Sequence, residues 1–586
     1  MVDNNTITNL ANSGEALKTK NQEPRTKNHI ISKEIILAYA LENATKHNGK
    51  ASQGAVLAGL FAEGLEKSEI KNTIPLIQEV LKKVNSMKPE QQQKEFEKIK
   101  DKTSKREIRT GLKELENAKK DEVIMRLAPF PSGPLHIGNA RNMIINDEYV
   151  KMYNGKLNLW FDDTIGSANK MIEPEAYNLI KEGLDWLGIN YNKKILYKSS
   201  RTKKYYEYAE ELLKKGYMYV CHCPQEKMQE LKAKGIACAC RELPPIVQVK
   251  RWKEMFTAEM GSMTVRLKTS MTDPDPAFRD RVMFKISDIP HIKTGKKFRV
   301  YPSMEFSWGI DDHIFKSTHI LRGTDHHMST RVQDFIRNIF GWQNPESFYN
   351  GQLEIQGVKI SKSQGTKKIK EGEYIGWNDP RTWSLQSLRD RGFQPKAIRQ
   401  FILSLGIKKA NITTPVENLY MANKKLIGDS PRYFFIENPT KITIKGCPHL
   451  EAKIPKHPSG EQGHKQVKTT GDFLISENDF NLLDNQEYRL MHLLTFKSEK
   501  IGLKPYDFSF ISEEPTGKTK FLHWLPATPD NIKTEIRMPD GSIKKGLGEY
   551  ELEKLKVGDT IQFERFGFCR LHKKEKEKLE FWFTHN

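Results

Sequence analysis

The sequence predicts a multidomain chain, α/β followed by all-β, and three observations predict it. Strands and helices alternate between about 121 and 197. Apolar residues recur at helical spacing before residue 87. Beyond 431 they recur at every second position, between Gly, Pro, Asn and Asp breaks. The length of 586 residues suits several domains.

The elements follow in order. Residues 1–30 are polar and predict a disordered tail. A helical extension and linker occupy 31–120. Leu37, Ala40, Leu41 and Ala44 share one helical face, and Gly49 ends that run. Leu57, Leu60 and Phe61 mark a second helix. A third has Pro75 in its first turn and aligns Ile77, Val80, Leu81 and Val84, and a Lys/Glu/Gln-rich linker trails it. VIMRLA (123–128) reads as a buried strand entering the turn PFPSGP, with a helix from about Asn139. LNLWFD (157–162) is a second strand, and the helix at about 174–187 buries Tyr177, Ile180, Leu184 and Leu187. A Cys-bearing insertion fills 198–299, strand and helix resume at 300–345, and 346–430 holds a loop and then a helical segment at 380–428. The period-2 region, 431–586, reads as β-barrels or sandwiches, with KHPSGEQGHKQ (456–466) a polar loop inside it.

The charge is unusual: 95 Lys+Arg against 74 Asp+Glu leave +21, which points to a polyanion, nucleic acid before an anionic membrane surface. Six cysteines exclude a disulfide-stapled scaffold. No apolar run is long enough to span a bilayer, and the first residues lack a signal-peptide core, so a soluble cytoplasmic protein is expected.

Two strings carry phosphate chemistry. In Pro134-Leu135-His136-Ile137-Gly138-Asn139 a strand-to-helix turn offers backbone N–H groups to phosphates; Gly138 would admit a nucleotide to the backbone, and His136 could donate a proton or hydrogen bond. In Val358-Lys359-Ile360-Ser361-Lys362-Ser363-Gln364-Gly365 two lysines and two hydroxyls form a loop-borne clamp, with Lys362 the main point charge. Alone, the first string is equally a surface turn and the second is more often a solvated loop; together they are specific. A third signal is Cys221-His222-Cys223 and Cys238-Ala239-Cys240, two C-x-C pairs 14 residues apart, as a tetrahedral zinc site needs. His313, His319, His326 and His327 lack ligand spacing and read as structural.

These strings, with FDDT, GIDDHIFKSTHILRGTDHH and GDTIQFERFGFCRL, resemble the class I aminoacyl-tRNA synthetases, and most closely glutamyl-tRNA synthetases of the archaeal type, from about 32 to 571. The resemblance implies a Rossmann-type catalytic domain in two halves (121–197 and 300–345), an acceptor-end-binding insertion with a zinc knuckle, a KMSKS loop with a helical stem-contact region, and a β-barrel anticodon-binding region. It implies glutamate–tRNA ligase activity with ATP, Mg²⁺ and a structural Zn²⁺. The partners would be L-glutamate and tRNA-Glu, with tRNA-Gln left open, and a monomer is expected. His136 and Lys362 would be catalytic. His136, Gly138, Asn139, Lys359, Ser361, Lys362 and Ser363 would bind ATP. Arg126, Ala128, Asp162, Met304 and Arg322 would bind glutamate, the two arginines serving the γ-carboxylate and Asp162 the α-ammonium. Cys221, Cys223, Cys238 and Cys240 would hold the metal.

Four residues depart from the family pattern. Asn139 stands where the HIGH motif has its second His, Trp160 replaces a basic residue, Ile165 a polar one, and Met304 a pocket tyrosine. A glutaminyl ligase is opposed by Arg322. A non-catalytic tRNA-binding protein is motivated by Met304 and Trp160, and a simple nucleotidyltransferase is opposed by the long C-terminal region. Basic tracts at 201–204, 248–253, 293–299 and 366–370, and aromatics in FERFGF and FLHWL, are candidate RNA contacts.

Overall fold

The computed structural model describes residues 32–46, 49–63, 65, 69–103, 112–165, 171–499, 506–517 and 519–586. The expected tail lies outside them. The described residues of 32–103 form one compact unit and those from 112 onward another.

The first unit is helical: α1 (Lys33–Lys46), α2 (Gln53–Ala62), α3 (Ile70–Asn85) and α4 (Pro89–Ile99). Ile36, Ala40, Leu41 and Ala44 of α1 pack on Val56 and Leu60 of α2 and on Ile77, Val80 and Val84 of α3. Two expectations are corrected. Helix α3 starts five residues before Pro75, which therefore sits inside it. An internal proline removes one backbone bond, and the buried face that follows outweighs that loss. The stretch read as a linker contains α4. Its anchor is polar: buried Gln92 donates from Nε2 to the carbonyls of Gly49 and Val84, both at 2.9 Å.

In the second unit, β1 (Ile124–Leu127), α5 (Ile137–Met152), β2 (Lys156–Phe161), α6 (Ala176–Trp186) and β3 (Leu196–Tyr197) give three parallel strands in the order β3–β2–β1. An antiparallel sheet of β4 (Met218–Cys221), β5 (Thr264–Leu267), β6 (Val282–Ile286) and β7 (Val300–Pro302) interrupts them, accompanied by α7 (Thr202–Lys214), α8 (Gln225–Lys234) and α9 (Pro245–Glu254). Then follow α10 (Met304–Ile314), β8 (His319–Gly323), α11 (His327–Ile339) and β9 (Glu346–Asn350). β8 and β9 pair in parallel, and Thr318 N donates to Ile124 O (2.9 Å) beside β1. The Rossmann-type order is thus β3–β2–β1–β8–β9, with its switch point between β1 and β8.

Two boundaries move. β7 pairs with β6, so the insertion runs through Pro302 rather than ending at 299, and β9 carries the second half to Asn350 rather than 345. The insertion also shares its core with the second half: Phe306, Ile310, Val332 and Phe335 pack with Tyr205, Trp252, Val265 and Phe284.

After β10 (Leu353–Gln356) come α12 (Lys362–Lys370), α13 (Leu385–Asp390), α14 (Pro395–Leu405), β11 (Ile412–Pro415) and α15 (Glu417–Ile427). Parallel pairing of β10 with β11 breaks the expected helical run. The region beyond 431 is mostly sheet. Its seven-stranded sheet orders Arg432–Tyr433, Thr560–Phe563, Gly567–Lys574, Lys578–His585, Ile532–Arg537, Ile543–Gly548 and Phe435–Glu437. Smaller sheets of four and three strands and a hairpin surround a second core around Phe473, Leu490, Phe496 and Trp524. The polar stretch 456–466 is not wholly loop. His464 begins a strand, and Lys465 is buried, 2.5 Å from Glu549. No described helix is long and apolar enough to cross a membrane.

Candidate active site

Two adjoining cavities open at the carboxyl ends of β1 and β8, where an open parallel sheet takes ligands. The smaller, about 190 Å³, is lined by Arg126, Ala128, Asp162, Met304 and Arg322, all five residues expected for the amino acid. The larger, about 1140 Å³, is lined by His136, Asn139, Lys362, Ser363 and Thr366. Ala128, Asn142, Met143, Asp162, Met304 and His326 face both.

The turn before α5 is built by exchange of hydrogen bonds. His136 Nδ1 accepts from Asn139 N and Asn139 Oδ1 accepts from His136 N, each at 3.4 Å. Asn139 thus serves as a cap where a second histidine was the family pattern. With Nδ1 used as acceptor, the His136 proton sits on Nε2. Burial, helped by the charge of Lys362, pushes the imidazole down to about 3. His136 is therefore a neutral hydrogen-bond donor at physiological pH, which corrects the expectation of proton donation. The reading of Gly138 changes too. A Cβ there would lie 3.1 Å from His136 Cε1 and Nδ1, so its bareness makes room for the imidazole.

The second string is only half a loop. Ser361 caps α12 by accepting from Gln364 N (3.3 Å), so Lys362 and Ser363 occupy its first turn. Lys359 is exposed, and Lys359, Ser361 and Gly138 stay outside the cavity lining. One side chain braces both strings. Trp377 lies 3.2 Å from a Cβ placed on Gly133, whose φ of 137° favours glycine, and 2.9 Å from one placed on Gly365. Its Nε1 donates to Glu175 (3.0 Å). Leu385 N, just downstream, donates to Leu135 O (2.9 Å).

Beneath the smaller cavity lies a buried charge cluster. Arg126 donates from Nε and Nη2 to Asp312 at 2.6 and 3.0 Å and lies 3.5 Å over the Trp308 ring. Two of its nitrogens are thus engaged by a protein carboxylate, although Arg126 still lines the smaller cavity as expected for a residue serving the γ-carboxylate. Arg322, buried like Asp312, stands 3.8 Å from that carboxylate and Arg337 3.9 Å. Burial would raise the Asp312 carboxyl, but the arginines, Arg126 first, hold it below its usual range. Burial lowers Arg322 to about 10, still charged at neutral pH. Arg337 also pairs with Asp334 (2.7 Å), so three guanidiniums meet two carboxylates and one positive charge remains.

Asp162 accepts from Trp308 Nε1 at 3.0 Å and Thr164 Oγ1 at 3.2 Å. Buried Lys198 also lies against Trp308, 3.4 Å from the ring centre and 2.6 Å from Asp311. Trp160 packs edge-on against Trp308, so the substituted tryptophan belongs to this layer. Sequence reasoning missed Trp308, Asp312, Lys198 and Gln333. Trp308 was findable, one helical turn past Met304. His326, read as structural, lines both cavities. His313 stacks on Trp342, His327 on Tyr349, and His319 bonds Glu116 O.

The four cysteine sulfurs of Cys221, Cys223, Cys238 and Cys240 lie within 4.8 Å of one another, with Cys221 and Cys238 3.9 Å apart. Zn–S bonds of about 2.3 Å in a tetrahedron separate sulfurs by about 3.8 Å, so the donor set suits the ion. His222 is exposed and outside the cluster. Among the RNA candidates, Arg201 turns inward to Asp311, and Lys367, Lys368 and Lys370 each face a glutamate. Phe563, Phe568 and Trp524 are core, while Phe521 is exposed.

The chain matches the family model for the catalytic domain of class I tRNA synthetases (E and Q) over residues 122–429, and the models for their anticodon-binding domains over 430–509 and 521–572. It is 40% identical to a glutamate–tRNA ligase of Methanocaldococcus jannaschii, covering 94% of this chain and 100% of that one. It is also 40% identical to one of Pyrococcus abyssi, covering 94% and 99%. Among solved structures, a glutamate tRNA ligase from Elizabethkingia meningosepticum is 19% identical, covering 53% of this chain and 70% of its own, at a TM-score of 0.38, too slight a likeness to bear on the fold.

Proposed function

The chain belongs to the class I tRNA synthetases for glutamate and glutamine, and from that premise we propose that it is a glutamate–tRNA ligase. The observation that carries the choice of amino acid is buried Arg322 on the smaller cavity, in a cluster with one surplus positive charge. A side-chain carboxylate is favoured there; a neutral amide would forfeit the charge-assisted bonds.

The reaction follows from the layout. Glutamate sits in the smaller cavity with its α-ammonium toward Asp162, and Arg322 takes the γ-carboxylate. ATP fills the larger cavity, its Mg²⁺ held mainly by the phosphates and offsetting their charge. Attack of the glutamate α-carboxylate on the α-phosphate forms the mixed anhydride, breaks the bond to the β-phosphate so that pyrophosphate leaves, and builds negative charge on phosphoryl oxygens. His136 Nε2–H, the start of α5 and Lys362 stabilise that charge, and Trp377 fixes their spacing. His136 holds its proton throughout. The terminal ribose of the tRNA then attacks the mixed anhydride and releases AMP.

A structural zinc on Cys221, Cys223, Cys238 and Cys240 would clamp β4 to the segment after α8, within an insertion that grips the acceptor end of the tRNA. Four thiols in range of one ion support this. The seven-stranded sheet is read as an anticodon-side barrel, because its two edge strands come from neighbouring residues, Arg432–Tyr433 and Phe435–Glu437. The enzyme would act in the cytoplasm as a monomer on tRNA-Glu.

The test is ATP–pyrophosphate exchange with glutamate or glutamine, with and without tRNA. Exchange dependent on glutamate is expected. Absence of exchange under every condition sinks the enzymatic reading, and exchange with glutamine alone sinks the role of Arg322. Charging of tRNA-Glu and tRNA-Gln transcripts decides whether the second tRNA is also a substrate.

A further inference from the structure

Gln333 lies on α11 behind Arg322. It is 1% exposed and lines the smaller cavity. Its amide orientation is dictated chemically. Arg322 donates from Nη2 to Gln333 Oε1, and a guanidinium has only donors, so the amide oxygen must face it. The amide nitrogen is the half left over, and among the described residues it is buried with no partner.

Arg322 is held from a second point. Its Nη1 donates to Thr330 Oγ1 at 3.0 Å, while that hydroxyl donates to His326 O at 3.2 Å. Thr330 and Gln333 stand one helical turn apart, so α11 presents both acceptors on one face and fixes the guanidinium plane. A buried donor without an acceptor is costly and calls for an explanation. Here the explanation is an occupant that brings one.

We infer that Gln333 Nε2 is a specificity-determining donor to the side-chain carboxylate of the amino acid, acting beside Arg322. The inference rests on the glutamate reading above and extends it to a second residue. A carboxylate has acceptors for both donors. A carboxamide has one oxygen, which must serve both donors at once or turn its own NH₂ toward one of them, donor against donor. The cavity rejects glutamine at two points rather than one.

The test uses Gln333→Met, which removes both amide functions, and Gln333→Glu, which keeps an oxygen for Arg322 and turns the donor into an acceptor. Binding of two 5′-sulfamoyl-adenosine analogues is measured, one carrying glutamate and one carrying norvaline, which lacks the carboxylate. In Gln333→Met the glutamate analogue should weaken at least about tenfold while the norvaline analogue stays within about twofold. In Gln333→Glu the glutamine-to-glutamate ratio of kcat/KM should rise at least about tenfold, with KM for ATP unchanged. Parallel weakening of both analogues, or an unchanged ratio, overturns the inference and leaves the glutamate reading standing. Wild-type protein that fails to activate glutamate sinks both. If Gln333→Glu does not fold, the Gln333→Met comparison decides alone.

Discussion

Gly365 in α12 lies against Trp377 so closely that a Cβ on it would come within 2.9 Å of the indole Cζ3. The first turn of that helix carries Lys362, and the same indole abuts Gly133 before His136. Gly365→Ala should therefore displace α12 from the turn that carries His136. The expected result is a loss of about 10- to 100-fold in glutamate-dependent exchange, with the thermal midpoint nearly unchanged. Full activity in the variant would mean the indole is not a spacer.

Lys362→Ala should slow activation by about 100- to 1000-fold while leaving tRNA affinity nearly intact, because the lysine faces the larger cavity. Single-turnover adenylate formation and filter binding of tRNA separate the two. Equal loss of both would assign the helix start to RNA contact.

Asp312→Asn leaves Arg126, Arg322 and Arg337 without their shared counterion at a fully buried position. Uncompensated buried charge costs about 3 to 5 kcal/mol, a loss that urea unfolding would register. A change below about 1 kcal/mol would show that water reaches the cluster.

Acid should destabilise the fold through histidines. Burial, as the first cause, holds His136 and His523 down to about 3 and His585 to about 4. Depressed values mean the unfolded chain takes up protons first. Their stabilising contribution is complete above about pH 6.5 and is lost as pH falls from there toward 4 and 3, at up to about 1.4 kcal/mol per pH unit for each group. Denaturation at pH 7.5 and 5.5 tests this, and His523→Gln should flatten the slope. An unchanged slope in that variant would remove His523 from the account.

Metal analysis of purified protein should give about one zinc per chain, lost in Cys238→Ser. That variant should open the insertion to protease within β4 to β5 before the rest of the chain. No zinc in the wild type refutes the four-thiolate reading.

What the sequence disclosed was chemistry written in adjacent residues. The two phosphate strings and the paired cysteines were visible because each motif is short and chemically biased, whereas the five amino-acid-pocket residues came only from the family resemblance. Asp312 and Gln333 were not. Asp312 matters through Arg126, 186 positions away, and no periodicity encodes such a contact. Helix α4 reads as linker because only Phe96 and Ile99 mark its apolar side, and its one buried residue is a glutamine bonded to two carbonyls. Lys465 reads as part of a polar loop, since nothing local announces that Glu549 waits inside the sheet. Secondary structure was legible where burial is apolar, and obscure where burial is polar and paid for by a distant partner.

Arg391 follows α13, fully buried, and donates to the carbonyls of Phe583 and Thr584, 192 and 193 positions onward. His585 meets Asn423 of α15 at 3.1 Å. The β region is consequently not a detachable cassette that evolution or an engineer could swap behind the catalytic half. Cutting it away would strand a guanidinium in the helical segment beside the phosphate-binding strings. During synthesis that segment must also wait, its contact with Lys578–His585 unmade until that strand leaves the ribosome.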